Sequence, residues 1–341
     1  MASQELASRP ATLDGGSVEP RQAGFDDLTI LICTHNKAHL LDRALESVAT
    51  QHLPPEARWE VVVVGNRCTD ETGKVVRRWG ADGRIPRLRY VTERRLGVSF
   101  ARRRGLWECR GRLIGLVDDD CLLDPDWAAQ ALRFAEENPR AGAFGGRNDL
   151  LWEAPATVIA DLYGESLARQ DLGEAPRLMP VKEWRMPVGA GLVIRRAAII
   201  DSGWVEHGML RARRPRNLGA GEDTEISLRI RRAGWEVWYS PQQRLRHVIP
   251  PERMTLAYLR RLHRGFGRAD VFLRALAKAP QRHPRLDGVA WAAGVLREVL
   301  KRYREGYVRY ENERPTWLIR LSYARGCLEG ATLFLLTGRG W

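Results

Sequence analysis

Apolar residues fall alternately in short unbroken runs and at helical spacing along the first 120 residues. Leu28 to Cys33 is a continuous apolar run, which predicts a buried strand. Leu40, Leu41, Ala44, Leu45 and Val48 then fall on one face of a helix. The alternation repeats: Val61 to Val64 predicts a second strand, and Thr69-Asp70 opens a helix that ends around Trp79-Gly80. Leu88 to Val91 predicts a third strand, followed by a helix from about Ser99 to Cys109, and Leu113 to Val117 predicts a fourth. Strand–helix units with short connections imply parallel strands, right-handed crossovers and helices on both faces. The fold class is therefore α/β, with ligands beyond the carboxyl ends of the strands.

The second half reads differently. Ala143-Phe144-Gly145-Gly146 and Val188 to Ile194 predict glycine-bearing strands, where backbone and ligand can approach closely. A loop between Trp204 and Gly219 carries Arg211, Arg213, Arg214 and Arg216. Gly219-Ala220-Gly221 then opens a helix whose first turn holds Glu222, Asp223 and Glu225. From Met254 onward the pattern is mostly helical, with breaks near Pro280 to Pro284 and at Pro315. Three segments follow: a loose leader over residues 1–26, an α/β domain over 27–250, and a helical C-terminal extension over 251–341.

The charge balance changes the choice of partners. There are 55 Lys plus Arg against 42 Asp plus Glu, a net +13, which predicts anionic partners: nucleotides, phosphorylated lipids, a membrane surface or nucleic acid. Five cysteines, odd in number and without a CxxC pair, predict reduced thiols and a cytosolic setting. No export pattern opens the chain, and no uncharged apolar span is long enough for a bilayer. Arg260, Arg261, Arg264 and Arg268 share a helix with Leu256, Leu259, Leu262 and Phe266. Such a helix suits peripheral contact with an anionic membrane surface, at the inner face of the plasma membrane, or packing on the domain with its charges in water.

The candidate chemistry begins where the fourth apolar run stops, at Asp118-Asp119-Asp120. Adjacent carboxylates repel one another, and a divalent cation compensates them most simply; a solvated acidic turn is the alternative. Glu222-Asp223 is a second acidic cluster, at a helix start where the dipole already favours acids. No GxGxxG follows the first strand and no GxxxxGK[ST] occurs, so neither a dinucleotide oxidoreductase nor a P-loop enzyme is indicated.

Together these residues resemble the family 2 glycosyltransferases, inverting enzymes of the GT-A fold. Thr34-His35-Asn36 resembles the family's first turn, and Asn66 to Asp70 its second. Gly97 to Gly105 resembles the Gly-x-Ser-x-Ala-Arg segment before the fourth strand. Asp118-x-Asp120 corresponds to the DxD motif and Glu222-Asp223 to the Glu-Asp motif, which continues into Ala233 to Pro241. The resemblance runs from about Leu28 to at least His247.

It implies a metal-dependent inverting hexosyltransferase of bacterial polysaccharide or glycoconjugate assembly. The donor would be a nucleotide-diphosphate sugar of UDP or GDP type, and the acceptor a saccharide or lipid-linked hydroxyl. Asp223 would be the catalytic base, and Glu222 would orient it or touch the acceptor. Asp118 and Asp120 would hold Mg²⁺ or Mn²⁺, with His247 as an extra ligand. Thr34, Asn36, Asn66, Arg102, Asp118 and Asp119 would bind the nucleotide sugar, Arg102 through its diphosphate. Trp184, Gly189, Ala190 and Gly191 would shape the sugar or acceptor pocket. The rival from another class is a non-catalytic basic adaptor for membrane or nucleic acid that inherited the fold. No nucleic-acid motif appears, so nucleic acid is not expected as a partner.

Overall fold

The computed structural model describes residues 26–179, 186–210, 218–277, 284–304 and 314–337. Residues 1–25 of the expected leader and the four loop arginines between 211 and 216 lie outside the described residues. The expected alternation is present as β1 (Asp26–Thr34), α1 (Ala38–Ala49), β2 (Trp59–Asn66), α2 (Thr72–Asp82), β3 (Leu88–Glu93), α3 (Val98–Glu108) and β4 (Gly111–Asp118). The chain continues through β5 (Cys121–Leu123), α4 (Trp127–Glu137), β6 (Ala141–Trp152), α5 (Val158–Leu162), β7 (Arg177–Leu178) and β8 (Leu192–Arg195). It then forms α6 (Arg196–Asp201), α7 (Trp204–His207), α8 (Glu222–Arg232) and β9 (Glu236–Ile249). Three long helices follow: α9 (Leu256–Ala277), α10 (Pro284–Arg304) and α11 (Arg314–Thr337).

The strands form one nine-stranded sheet in the order β3-β2-β1-β4-β8-β6-β9-β5, with β7 beside β9. β1 to β4 are parallel; β8 turns against β4 and opens a mixed half. Successive side chains of a strand point to opposite faces, so β1 feeds two cores at once. Leu28, Ile30 and Ile32 pack with Leu41 and Leu45 of α1 and Trp127 of α4. Leu31 packs on the other face with Ala101 and Leu106 of α3, Ile226 of α8 and Phe272 of α9. Register sets the functional edge: Cys33 lies opposite Asp118, and Thr34 opposite Gly65. The first turn, the second turn and the acidic triplet therefore end at the same level.

One boundary differs from the sequence reading: the strand expected from Val188 begins only at Leu192, because Gly189 to Gly191 form a turn. His247 lies within β9, opposite Cys121. Part of the basic face of α9 packs on α11. Arg264 Nε and Arg268 Nε lie 2.9 and 2.8 Å from Glu329 Oε2 on α11, and Arg260 Nε lies 3.3 Å from Ser322 Oγ. Gly326 permits this closeness, since a Cβ there would lie 2.1 Å from the Arg264 carbonyl oxygen. Glu329 thus gathers two of the helix's arginines, Arg264 and Arg268, against α11. Among the described residues no helix is long and apolar enough to cross a membrane.

Candidate active site

At the carboxyl edge of β4 the three aspartates meet different surroundings. Asp119 and Asp120 are buried, whereas the Asp118 side chain keeps 37% of its exposure. Lys37 Nζ, from the turn after β1, donates to Asp119 Oδ1 at 2.9 Å and to Asp120 Oδ2 at 3.0 Å. Arg253 Nη2, from the short turn after β9, donates to Asp120 Oδ2 at 2.9 Å. Burial alone raises the pKa of both carboxyls. At Asp120, Lys37, Arg253 and His247 outweigh burial and hold the carboxyl well below the usual range; at Asp119 burial wins and the carboxyl sits above it.

His247 is fixed by its own bonds. Its Nδ1 faces the Leu167 carbonyl oxygen at 2.8 Å, and a carbonyl only accepts, so Nδ1 carries the proton. Nε2 then points to Asp120 Oδ1 at 3.2 Å and to Arg253 Nη1 at 3.3 Å.

Arg102 joins the two acidic clusters. It is buried on α3, with Nη2 3.3 Å from Asp118 Oδ1 and Nη1 3.8 Å from Glu222 Oε1. Asp223 Oδ2 accepts the Gly189 backbone N–H at 2.8 Å, and Oδ1 accepts that of Thr224 at 2.9 Å. These bonds fix the carboxylate at the start of α8. Glu222 is buried beside it and accepts from Ser99 Oγ at 3.2 Å. Burial, reinforced by Asp223 and opposed by Arg102, pushes the Glu222 carboxyl up to about 7.

The stability consequence has a definite sign. The folded chain holds the Glu222 proton between the ordinary value of 4.5 and about 7, while the unfolded chain releases it. Stability therefore falls as pH rises through that window. Glu222→Gln is expected to remove up to roughly 3 kcal/mol of that fall. Melting curves of both proteins between pH 5 and 8 check it; parallel curves would contradict it.

One cavity of about 1060 Å³ collects most of the expected residues. Thr34, Asn36, Asn66 and Arg102 line it, as do Asp118 to Asp120 and Glu222-Asp223. Gly189, Ala190 and His247 line it too. Gly191 does not line it; its N–H donates to the Leu116 carbonyl at 2.9 Å and anchors the turn to β4. Trp184 lies outside the described residues. The side chain of Tyr258 and those of Leu262, Phe266, Ala269 and Leu273 make α9 one wall, so the C-terminal extension helps to build the site.

Two of the expected nucleotide ligands have structural work in this conformation. Asn66 Nδ2 donates to the Glu93 and Arg95 carbonyls at 3.3 and 2.7 Å, while Oδ1 accepts the Gly97 N–H at 2.8 Å. Its amide thus holds the loop between β3 and α3. Asn36 clips the first turn to the second, accepting from Thr69 N at 2.7 Å and donating to Thr69 Oγ1 at 3.2 Å. Lys37 and Arg253 are the residues that sequence reasoning passed over. The only sequence signal for Lys37 was its place beside the Thr34-His35-Asn36 turn, and Arg253 had none.

The donor set suits a hard divalent cation. Ligand atoms of Asp118, Asp120 and Cys121 lie within 4.8 Å of one another, and His247 is not among that group. Burial drives the Cys121 thiol well above its ordinary pKa, so it stays protonated and is a poor ligand. Two carboxylates remain, the number with which Mg²⁺ and similar ions commonly bind when substrate phosphates complete the shell.

This mixed sheet with its acidic carboxyl edge and C-terminal helices is the GT-A glycosyltransferase fold. The mannosyltransferase PcManGT from Pyrobaculum calidifontis, solved with GDP-Man and Mn²⁺, superposes with a TM-score of 0.60 at 19% identity, covering 96% of this chain and 92% of that one. S. aureus TarS 1–349, solved with UDP, gives 0.51 at 15% identity, covering 92% of each. Residues 29–198 match the model of glycosyl transferase family 2, and the chain belongs to that family. It is similar to the succinoglycan biosynthesis protein ExoM of Rhizobium meliloti, 26% identical over 239 residues that span 68% of this chain and 70% of that protein. The glucosyl-dolichyl phosphate glucuronosyltransferase of Haloferax volcanii is 23% identical over 228 residues, 65% of this chain and 69% of that one. The chain is a glycosyltransferase, and the reading as a non-catalytic adaptor is set aside.

Proposed function

We propose that the chain transfers a sugar from a nucleotide-diphosphate donor to a hydroxyl of a saccharide or lipid-linked acceptor, with inversion and with a divalent metal on the donor diphosphate. The observation that carries this is that Asp118 and Asp223 line one cavity, with Arg102 paired both to Asp118 and to Glu222, the residue before Asp223. Mg²⁺ or Mn²⁺, held by Asp118 and Asp120, would stabilise the negative charge on the departing diphosphate. Arg102 adds a fixed positive charge at the same end. Asp223, aimed by Gly189 and Thr224, would take the acceptor proton as the hydroxyl attacks. Residues 27–250 would form most of the catalytic unit, and 251–341 would add Arg253 beside the triplet and the α9 wall of the cavity.

Similar proteins support this chemistry: one structural neighbour was solved with GDP-Man and Mn²⁺, another with UDP, and one relative is a glucosyl-dolichyl phosphate glucuronosyltransferase. The site of action is then cytoplasmic, at the inner membrane face when the acceptor is lipid-linked. A thermal-shift panel of UDP, GDP, CMP and dTDP, each with Mn²⁺ and with EDTA, tests the donor half. One nucleoside diphosphate should raise the melting temperature only with metal; equal curves for all would count against the proposal.

Gly189 gives a second test. A Cβ there would lie 2.7 Å from Asp223 Oδ2, so Gly189→Ala must push the carboxylate aside. Displacement of this size is expected to slow transfer about 10²-fold. Transfer rates alongside circular dichroism check it, and a folded variant with the parent rate would remove Asp223 placement as a requirement.

A further inference from the structure

The acidic triplet is already compensated by side chains of the chain itself. Asp118 faces Arg102, Asp119 faces Lys37, and Asp120 faces Lys37 and Arg253. Three carboxylates thus meet three cations, and the cluster carries no net formal charge. Such a site attracts a bare dication weakly, because each of the three carboxylates already has a cation within 3.3 Å. Removing Lys37 without a replacement would also leave the buried Asp119 without its cation, at considerable cost. Lys37 and Arg253 nonetheless both line the cavity, and the Lys37 side chain keeps 32% of its exposure.

We infer that Lys37 and Arg253 are a built-in counter-cation pair: they keep the triplet from holding a divalent metal alone, and they become ligands of the phosphates when a nucleoside diphosphate brings the metal in. The inference rests on the donor class proposed above. The exchange balances in charge. Diphosphate oxygens take over the ammonium and the guanidinium, and the carboxylate oxygens so released take the metal. Arginine and lysine both suit phosphate oxygens, arginine through paired N–H groups. Metal and nucleotide would then bind with strong mutual dependence. Lys37 and Arg253 are accordingly positioning residues for the triplet before binding and donor ligands after it.

The test measures Mn²⁺ binding directly, from the spin-resonance signal of the free ion, with no ligand, with UDP and with GDP. Wild type, Lys37→Met and Arg253→Met are compared, and nucleotide affinity is followed by calorimetry. Charge-assisted hydrogen bonds of this kind correspond to about 10- to 100-fold in affinity. The wild type should bind Mn²⁺ weakly alone and at least about tenfold more tightly with its nucleotide. Each variant should bind Mn²⁺ alone more tightly than wild type, yet bind the metal–nucleotide pair about tenfold or more weakly. Lys37→Gln keeps a polar contact to Asp119 without the charge and should move both affinities the same way, so the test survives if a Met variant misfolds. Equal Mn²⁺ affinity with and without nucleotide in wild type would overturn the inference. So would variants that lower both affinities together, or change neither. A wild type that binds no nucleotide with any metal overturns the donor assignment as well; nucleotide binding left intact by every variant overturns only the role of this pair.

Discussion

Asp223→Asn is expected to slow sugar transfer by roughly 10²- to 10⁴-fold, the range of a lost general base, with nucleotide affinity unchanged. The amide keeps the size of the carboxylate, and its oxygen can still accept the Gly189 N–H that aims it. What it loses is the ability to take a proton. Donor binding should persist because the triplet and Arg102 lie at the other end of the Arg102–Glu222 link. Single-turnover transfer and nucleotide titration of the same preparation separate the two quantities. A variant that turns over at the parent rate would displace Asp223 from the role of base.

The second large effect is expected at Asp118. Asp118→Ala should remove the metal-dependent part of nucleotide binding and slow transfer by about 10²-fold or more, since a metal on the leaving group supplies several kcal/mol. Asp118 pairs with Arg102 and keeps much of its exposure, so the fold should tolerate the change. Asp120→Ala is a different experiment. It would strip Lys37 and Arg253 of a buried partner and is expected to cost about 3–5 kcal/mol of stability in addition to any loss of metal binding. Thermal melts beside metal-dependent nucleotide titrations distinguish them. Asp118→Ala that still binds nucleotide in a metal-dependent way would refute its assignment as a ligand.

The parallel half of the sheet was legible because its signals are local. Runs such as Val61 to Val64 and the helical spacing from Leu40 to Val48 each lie within a dozen residues, and both acidic clusters are contiguous. The site's compensation was not legible, because it depends on contacts between distant positions. Lys37 reaches Asp120 across 83 positions, and Arg253 reaches it across 133. The hold of Asn66 on the loop from Glu93 to Gly97 likewise spans 27 to 31 positions. The arginines of α9 were equally ambiguous, since Glu329 lies 65 and 61 positions beyond Arg264 and Arg268. Residues 188 to 191 read as strand because apolar and glycine content cannot distinguish a strand from the turn that presents Gly189 to Asp223.

The most direct measurement is nucleoside diphosphate release from a panel of UDP-, GDP- and dTDP-sugars, with a cell-envelope saccharide and lipid extract as acceptor source. Wild type and Asp223→Asn would each be run with Mn²⁺ and with EDTA. Consumption of one donor class by wild type with metal, abolished by EDTA and by Asp223→Asn, is the predicted result. No consumption of any donor, or equal rates for wild type and Asp223→Asn, would contradict a metal-dependent transferase with its base at Asp223.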